Sequence, residues 1–243
     1  MSDFFSVLVL ASLPASGNFI GGVLSEWLKP SRYFVNLALH ASAGIILSVV
    51  SVAVMPNALE IVPVWLIAVA FLGGGSAYLV IEGAIARWQA NKPNGAGAQA
   101  WMVYVAVLAD LIGDGLLIGA GSAVSTQLAL LLALGQVLAD IPEGFSVLAN
   151  FKDKGVKQRQ RLWLSASFVI PVVGSAILAY YLLRGLPESV KFTAMVFVSG
   201  LYSLAAVEDM LGQAHKSAAD TRWSSISFLG GYALFLMVSG GLG

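Results

Sequence analysis

Eight runs of mostly apolar residues fill this chain, each close to the roughly 20 residues that one helix needs to cross the ~30 Å hydrocarbon core of a bilayer. They lie near 4–25, 33–56, 62–83, 101–124, 126–150, 162–183, 190–212 and 223–242. The longest polar stretches between them, RWQANKPNGAGA at 87–98 and FKDKGVKQRQR at 151–161, leave no room for a soluble domain. The runs are too long for strands and lack the alternation of an outer-membrane barrel, so helices must satisfy the backbone in lipid. The expectation is one all-α transmembrane domain over residues 1–243. Composition agrees: 58% of residues are apolar and 11% charged, against about 45–50% and about 25% in soluble domains. The opening MSDFFSVLVLASLPASG lacks the basic start of a cleaved signal, so it reads as a retained first span.

Charge gives the orientation. The loops after spans one, three, five and seven hold Lys29, Arg32, Arg87, Lys92, Lys152, Lys154, Lys157, Arg159, Arg161, Lys216 and Arg222, whereas the other side holds Arg184 and Lys191. Eleven of the thirteen basic residues on one side places the odd-numbered loops in the cytoplasm and both termini outside, in a cytoplasmic (inner) membrane. Thirteen acids balance the thirteen bases, so nothing suggests a nucleic-acid partner. There is no cysteine, which excludes disulfides, thiolate ligands and a cysteine nucleophile.

Against this background DLIGDGLLIG and ADIPEGFSVLA stand out. Spans four and five are joined by a tight turn near 121–126, which sets Asp110, Asp114, Asp140 and Glu143 in the middle half of the bilayer. The first pair is spaced i,i+4 and the second i,i+3, so each projects from one helical face. An ionised acid at mid-membrane costs from about 2.5 kcal/mol upward on insertion scales. No Lys, Arg or His lies at matching depth, so protons or a bound cation must compensate. A single such acid could be a neutral packing residue, and the four could form a proton relay. Pro142 removes an amide donor and frees a carbonyl, while Gly113, Gly115 and Gly144 allow close helix approach. Glu82 reads as an interfacial residue neutralised by Arg87.

At these residues the chain resembles the ZIP (Zrt/Irt-like) metal-ion permeases. DIPEG at 140–144 is similar to their fifth-helix signature, H/Q-N/D-x-P-E-G, and DLIGDG at 110–115 to a drifted fourth-helix H-N-x-P-D/E-G. GIILSVVSVAVMPNALE from Gly44 and GLYSLAAVEDMLGQAH from Gly200 resemble the second- and seventh-helix patterns. The resemblance identifies the chain as a divergent bacterial-type member. It implies eight helices in a 3+2+3 arrangement, with triplets 1–3 and 6–8 flanking a central helix 4–5 pair, and a possible homodimer. The Gly44 and Gly200 segments can also be overlaid within oppositely oriented triplets, as in transporters built from inverted repeats.

Carried over residue by residue, the resemblance makes Asp114 and Glu143 metal ligands, with Asp110 and Asp140 at or near ligand positions. It makes Glu208 and Asp209 exit-path or secondary-site residues; as boundary acids beside the Lys216 loop they have an equally simple explanation. The departures are large. Leu111 stands at a metal-binding Asn position, Ala139 where His or Gln is expected, and span six carries no acid. A mononuclear, all-carboxylate site remains. Such a site suits manganese or ferrous iron better than the usual zinc, although zinc and cadmium also accept oxygen ligands. His40 and His215, the only histidines, read as interfacial polar residues rather than ligands.

The leading function is therefore a permease moving a divalent cation (Zn, Mn, Fe or Cd) into the cytoplasm. It would hold no tight cofactor and use no ATP, since no Gly-rich nucleotide loop is present. The alternative is a non-transporting protein of the same fold, with a decayed metal site, acting as an interaction or regulatory subunit. An enzyme is not expected, because an intramembrane aspartyl hydrolase would need a Gly-x-Gly-Asp motif that the chain lacks.

The topology has a direct test. Cysteines introduced at Lys154 and Arg159 should react with an impermeant thiol reagent only from the cytoplasmic side, and those at Arg184 and Glu188 only from outside. The reverse pattern would overturn the orientation.

Overall fold

A computed structural model describes residues 2–28, 31–90 and 96–242. Lys29 and Lys92, both counted in the charge argument, lie outside the described residues. Among the described residues eight helices are long and apolar enough to cross a membrane: Phe4–Leu28, Arg32–Ile61, Val64–Trp88, Val103–Val124, Thr126–Asp153, Gln158–Leu183, Glu188–Ser217 and Arg222–Gly241, here spans 1 to 8. Spans 2 and 7 outrun the expected limits of 56 and 212 because their last turns, though polar, stay helical against neighbouring helices.

The spans pair 1 with 5, 4 with 6, 2 with 8 and 3 with 7, and contacts of 4 with 5, 2 with 5 and 4 with 7 join the pairs. Burial follows from this. The most apolar stretches of spans 2, 4, 5 and 7 are 72%, 53%, 61% and 56% buried, while those of spans 3 and 8 are 22% and 17% buried and present Val64, Trp65, Leu72, Leu229 and Met237 outward. Polar residues on the first four can thus turn inward.

Prolines accompany breaks in two spans, where they remove a backbone donor. Span 6 is interrupted at Phe168, one turn before Pro171. In span 2 a π-helical turn, Val49–Val54, precedes Pro56. Span 5 stays helical through Pro142, and Ser42 of span 2 donates its hydroxyl to the Ala139 carbonyl beside it. A second π-helical turn, Ala206–Leu211, lies in span 7 and carries Glu208 and Asp209. Such turns insert a residue and re-aim the side chains around them.

Lipid tails are as apolar as leucine, so helices associate through close packing of small residues. In span 3 the FLGGGSAYLV stretch at 71–80 makes its tight contact at Gly74, where a β-carbon would meet the Phe197 carbonyl of span 7. At Gly73 and Gly75 a β-carbon would meet that span at ordinary contact distances of 3.6 and 3.7 Å. On span 1, Gly21 lies against the Ile141 backbone, and Gly144 of span 5 lies against the Asn18 carbonyl.

Glu82 and Arg87, expected to neutralise each other, are both exposed and form no ion pair among the described residues. Five residues apart on a helix, they point about 140° away from one another.

Replacing Gly74 by Ala should force spans 3 and 7 apart and destabilise the protein by about 1–3 kcal/mol. Gly83→Ala, where nothing lies within 4 Å, should be neutral or stabilising by up to about 1 kcal/mol. Thermal unfolding in detergent compares the two; equal midpoints would refute the close approach.

Candidate functional site

Spans 4 and 5 bring the four acids together at mid-bundle. Asp114 lies ten residues from the end of span 4 at Val124, about 15 Å at 1.5 Å per residue and so half the core thickness. Carboxylate oxygens of Asp110, Asp114 and Asp140 lie within 4.8 Å of one another, and Glu143, three residues after Asp140 on span 5, lines the same cavity as Asp110. Asp114 and Asp140 are 2% exposed and Glu143 8%. None of the ion pairs among the described residues involves these acids.

One side of the cluster is held by residues that the sequence did not bring forward. Tyr202 of span 7 donates its hydroxyl to Asp114 Oδ1. Gln136 of span 5 donates from Nε2 to the Tyr202 hydroxyl at 3.2 Å and to the Asp114 carbonyl at 3.4 Å. Gln136 was detectable as a polar residue one turn before Asp140 on the same face. Tyr202 was not, because tyrosine is at home at any membrane interface and only packing turns this one inward. Gly113 clears its path, since a β-carbon there would stand 3.3 Å from the ring.

The opposite side is unsatisfied. Asp110 Oδ1, Asp114 Oδ2, Asp140 Oδ2 and Glu143 Oε2 are buried without a hydrogen-bond partner, as are both side-chain polar atoms of Asn18 on span 1 and the Ser146 hydroxyl. Buried polar atoms are normally paired, and a converging set of unpaired oxygens is a hard-cation ligand set.

A cavity of about 750 Å³ leads to the cluster. Asp110 and Glu143 line its inner end, Asp209 and Asn150 its wall, and Arg32, Lys152, Lys154 and Lys216 its mouth, on the side where the basic loops gather. Beyond the acids on the other side, Leu117, Ile118, Leu132 and Met195 are fully buried. Of the two acids expected on the exit path, Asp209 lines the cavity and Glu208 is exposed outside it. Arg161, counted as a loop charge, is buried and forms a two-pronged ion pair with Glu26 of span 1. On the far side Lys191 is also buried and donates to the Ala123 carbonyl at 2.7 Å, capping the end of span 4.

The two histidines, read from the sequence as interfacial polar residues rather than ligands, meet. His40 of span 2 and His215 of span 7 stand 5.8 Å apart between ring centroids, with Asp220 of the following loop beside both. A hydrogen bond from Asn36 holds the Asp220 carboxyl below the usual carboxylate range, and His215 and His40 contribute further.

Comparison of the sequence with models of known protein families finds no match, and comparison with curated proteins finds none either.

Tyr202→Phe removes one donor and leaves a buried carboxylate oxygen unpaired, a change of about 1–3 kcal/mol. The variant should unfold at lower temperature than the wild type, and the loss should shrink in an Asp114→Asn background, because the two side chains form one contact. Additive losses would remove Tyr202 from the site.

Proposed function

We propose that the chain is a permease that moves a divalent metal cation, among zinc, manganese, ferrous iron and cadmium, into the cytoplasm, as a divergent bacterial-type relative of the ZIP permeases. The observation that carries this reading is the convergence of the Asp110, Asp114 and Asp140 carboxylates at mid-bundle with Glu143 one turn away, each with an unpaired buried oxygen, at the inner end of a cavity that opens among the basic loops. In such a site Asp114 and Glu143 are the principal ligands, Asp110 and Asp140 complete the shell, and Tyr202 fixes the Asp114 carboxylate. Oriented carboxylate ligands bind more tightly than free ones. Asp209, farther along the cavity, offers the departing cation an acidic step before the mouth.

The packing supports a 3+2+3 arrangement with inverted repeats as part of this reading. Exchanging spans 1 and 6, 2 and 7, 3 and 8, and 4 and 5 turns the pairing 1–5 into 6–4, 2–8 into 7–3 and 2–5 into 7–4, all of which occur. Gly44 packs on span 8 as Gly200 packs on span 3, and a π-helical turn follows each. A site between repeats of opposite orientation is the build of many secondary transporters. Proteins that use it expose one site alternately to two sides.

The test is binding and uptake. Wild-type protein should gain thermal stability with the cation it carries, by about 2.7 kcal/mol at a hundredfold excess over Kd. The gain should grow as pH rises, because the carboxylates must lose protons to bind. Glu143→Gln should remove most of the gain at nearly constant fold, and Asp114→Asn with Glu143→Gln should abolish uptake into proteoliposomes. Absence of any shift in the wild type across zinc, manganese, iron and cadmium would reject the permease reading in favour of a protein with a decayed site.

A further inference from the structure

Away from the mid-bundle acids, His40, His215 and Asp220 place three ligand atoms within 4.8 Å of one another. His215 Nε2 lies 2.8 Å from Asp220 Oδ2, and His40 Nε2 lies 3.7 Å from Asp220 Oδ1. Ligands of a tetrahedral zinc ion, at about 2.0–2.2 Å from the metal, stand ~3.3 Å apart. The triad is therefore already near the spacing that a metal requires.

The surroundings fix how these groups present themselves. His40 Nδ1 is 2.8 Å from the Asn36 carbonyl oxygen, which can only accept, so the ring carries its proton on Nδ1 and turns Nε2 toward Asp220. Nε2 is thereby the ring nitrogen aimed at Asp220 Oδ1, 3.7 Å away, and a cation placed between the two would be held by both. A histidine whose other nitrogen donates to a backbone carbonyl is the usual form of a metal-bound imidazole. Asn36, fully buried, donates from Nδ2 to Asp220 Oδ1 at 2.9 Å and to the Ala214 carbonyl at 2.9 Å. Its own Oδ1 accepts from Ser224 at 2.7 Å. The carboxylate is thereby held by a chain of partners on spans 2, 7 and 8. His40 is buried, while the side chains of His215 and Asp220 are 55% and 43% exposed, leaving an open path for an ion and a water.

We propose that His40, His215 and Asp220 form a second metal site, at the ends of spans 2 and 7, that binds a divalent cation of borderline softness, zinc above all, with water in the fourth position. Two imidazoles and one carboxylate favour zinc over the harder ions that an oxygen-only site takes. The site backs onto the cavity, since Val35 and Leu39, next to Asn36 and His40, line it and Lys216, next to His215, lines its mouth. A bound ion ties span 2, span 7 and the loop after it together at that wall. The proposal stands whether or not the mid-bundle acids transport a metal.

Cobalt(II) is the probe, because a four-coordinate site with imidazole ligands absorbs visible light far more strongly than an octahedral oxygen site. Full-length protein in detergent near neutral pH should develop this band at one equivalent of cobalt, and zinc should displace it. His215→Asn and Asp220→Asn, both at exposed positions, should each weaken cobalt binding by about 10-fold or more, and His40→Gln should abolish the band if that variant folds. Glu143→Gln should leave it unchanged, which separates this site from the mid-bundle one. The proposal is overturned if the wild type shows no four-coordinate band, or if His215→Asn keeps the band at wild-type affinity.

Discussion

Carboxylates cannot face hydrocarbon, and the arrangement of this bundle follows from that single restriction. Asp110, Asp114, Asp140 and Glu143 lie on two helices that cross the apolar core, so those helices must be central and their acidic faces must meet. Spans 3 and 8 can stay peripheral because they carry no comparable group at that depth. The acids also explain Tyr202 and Gln136, which would be out of place in a purely apolar interior. Each supplies a donor toward Asp114 that lipid could not.

Bringing acidic faces together requires backbones to approach closely elsewhere. Small residues do this along the 1–5, 3–7, 4–6 and 2–8 contacts, where a side chain at Gly21, Gly74, Gly115 or Gly44 would overlap a neighbouring backbone. Proline and π-helical turns then supply local irregularity in spans 2, 5, 6 and 7. A fully regular bundle packed this tightly would leave little space beside the acids. The cavity lies mostly among residues of spans 2, 4, 5 and 7, and spans 2 and 7 each carry a π-helical turn.

The charged groups nearer the bundle ends are of two kinds. Arg161 with Glu26, and Lys191 with the Ala123 carbonyl, are buried, paired and tie helices to one another. Breaking either would strand a buried charge, which costs more than the intact pair contributes. The His40, His215 and Asp220 group is half open to solvent and gathers three groups that can each bind a metal. The distinction separates structural charges from candidate binding groups better than position in the sequence does.

Sequence alone determined the class of this protein, because the ~20-residue apolar period is imposed by bilayer thickness and backbone hydrogen bonding, and both act locally. It also determined that the four acids share a depth, since helical rise converts residue number into height. What it left open depends on rotation and contact, which no local rule supplies. Glu208 and Asp209 are adjacent in the chain, yet only the π-helical turn and the packing of span 7 decide that Asp209 lines the cavity while Glu208 is exposed. Gly73, Gly74 and Gly75 look equivalent in the chain, and only the crossing with span 7 singles out Gly74. His40 and His215 read as unrelated boundary residues until the tertiary structure set spans 2 and 7 side by side, because the distance between side chains on different helices is fixed by packing and not by the sequence that separates them.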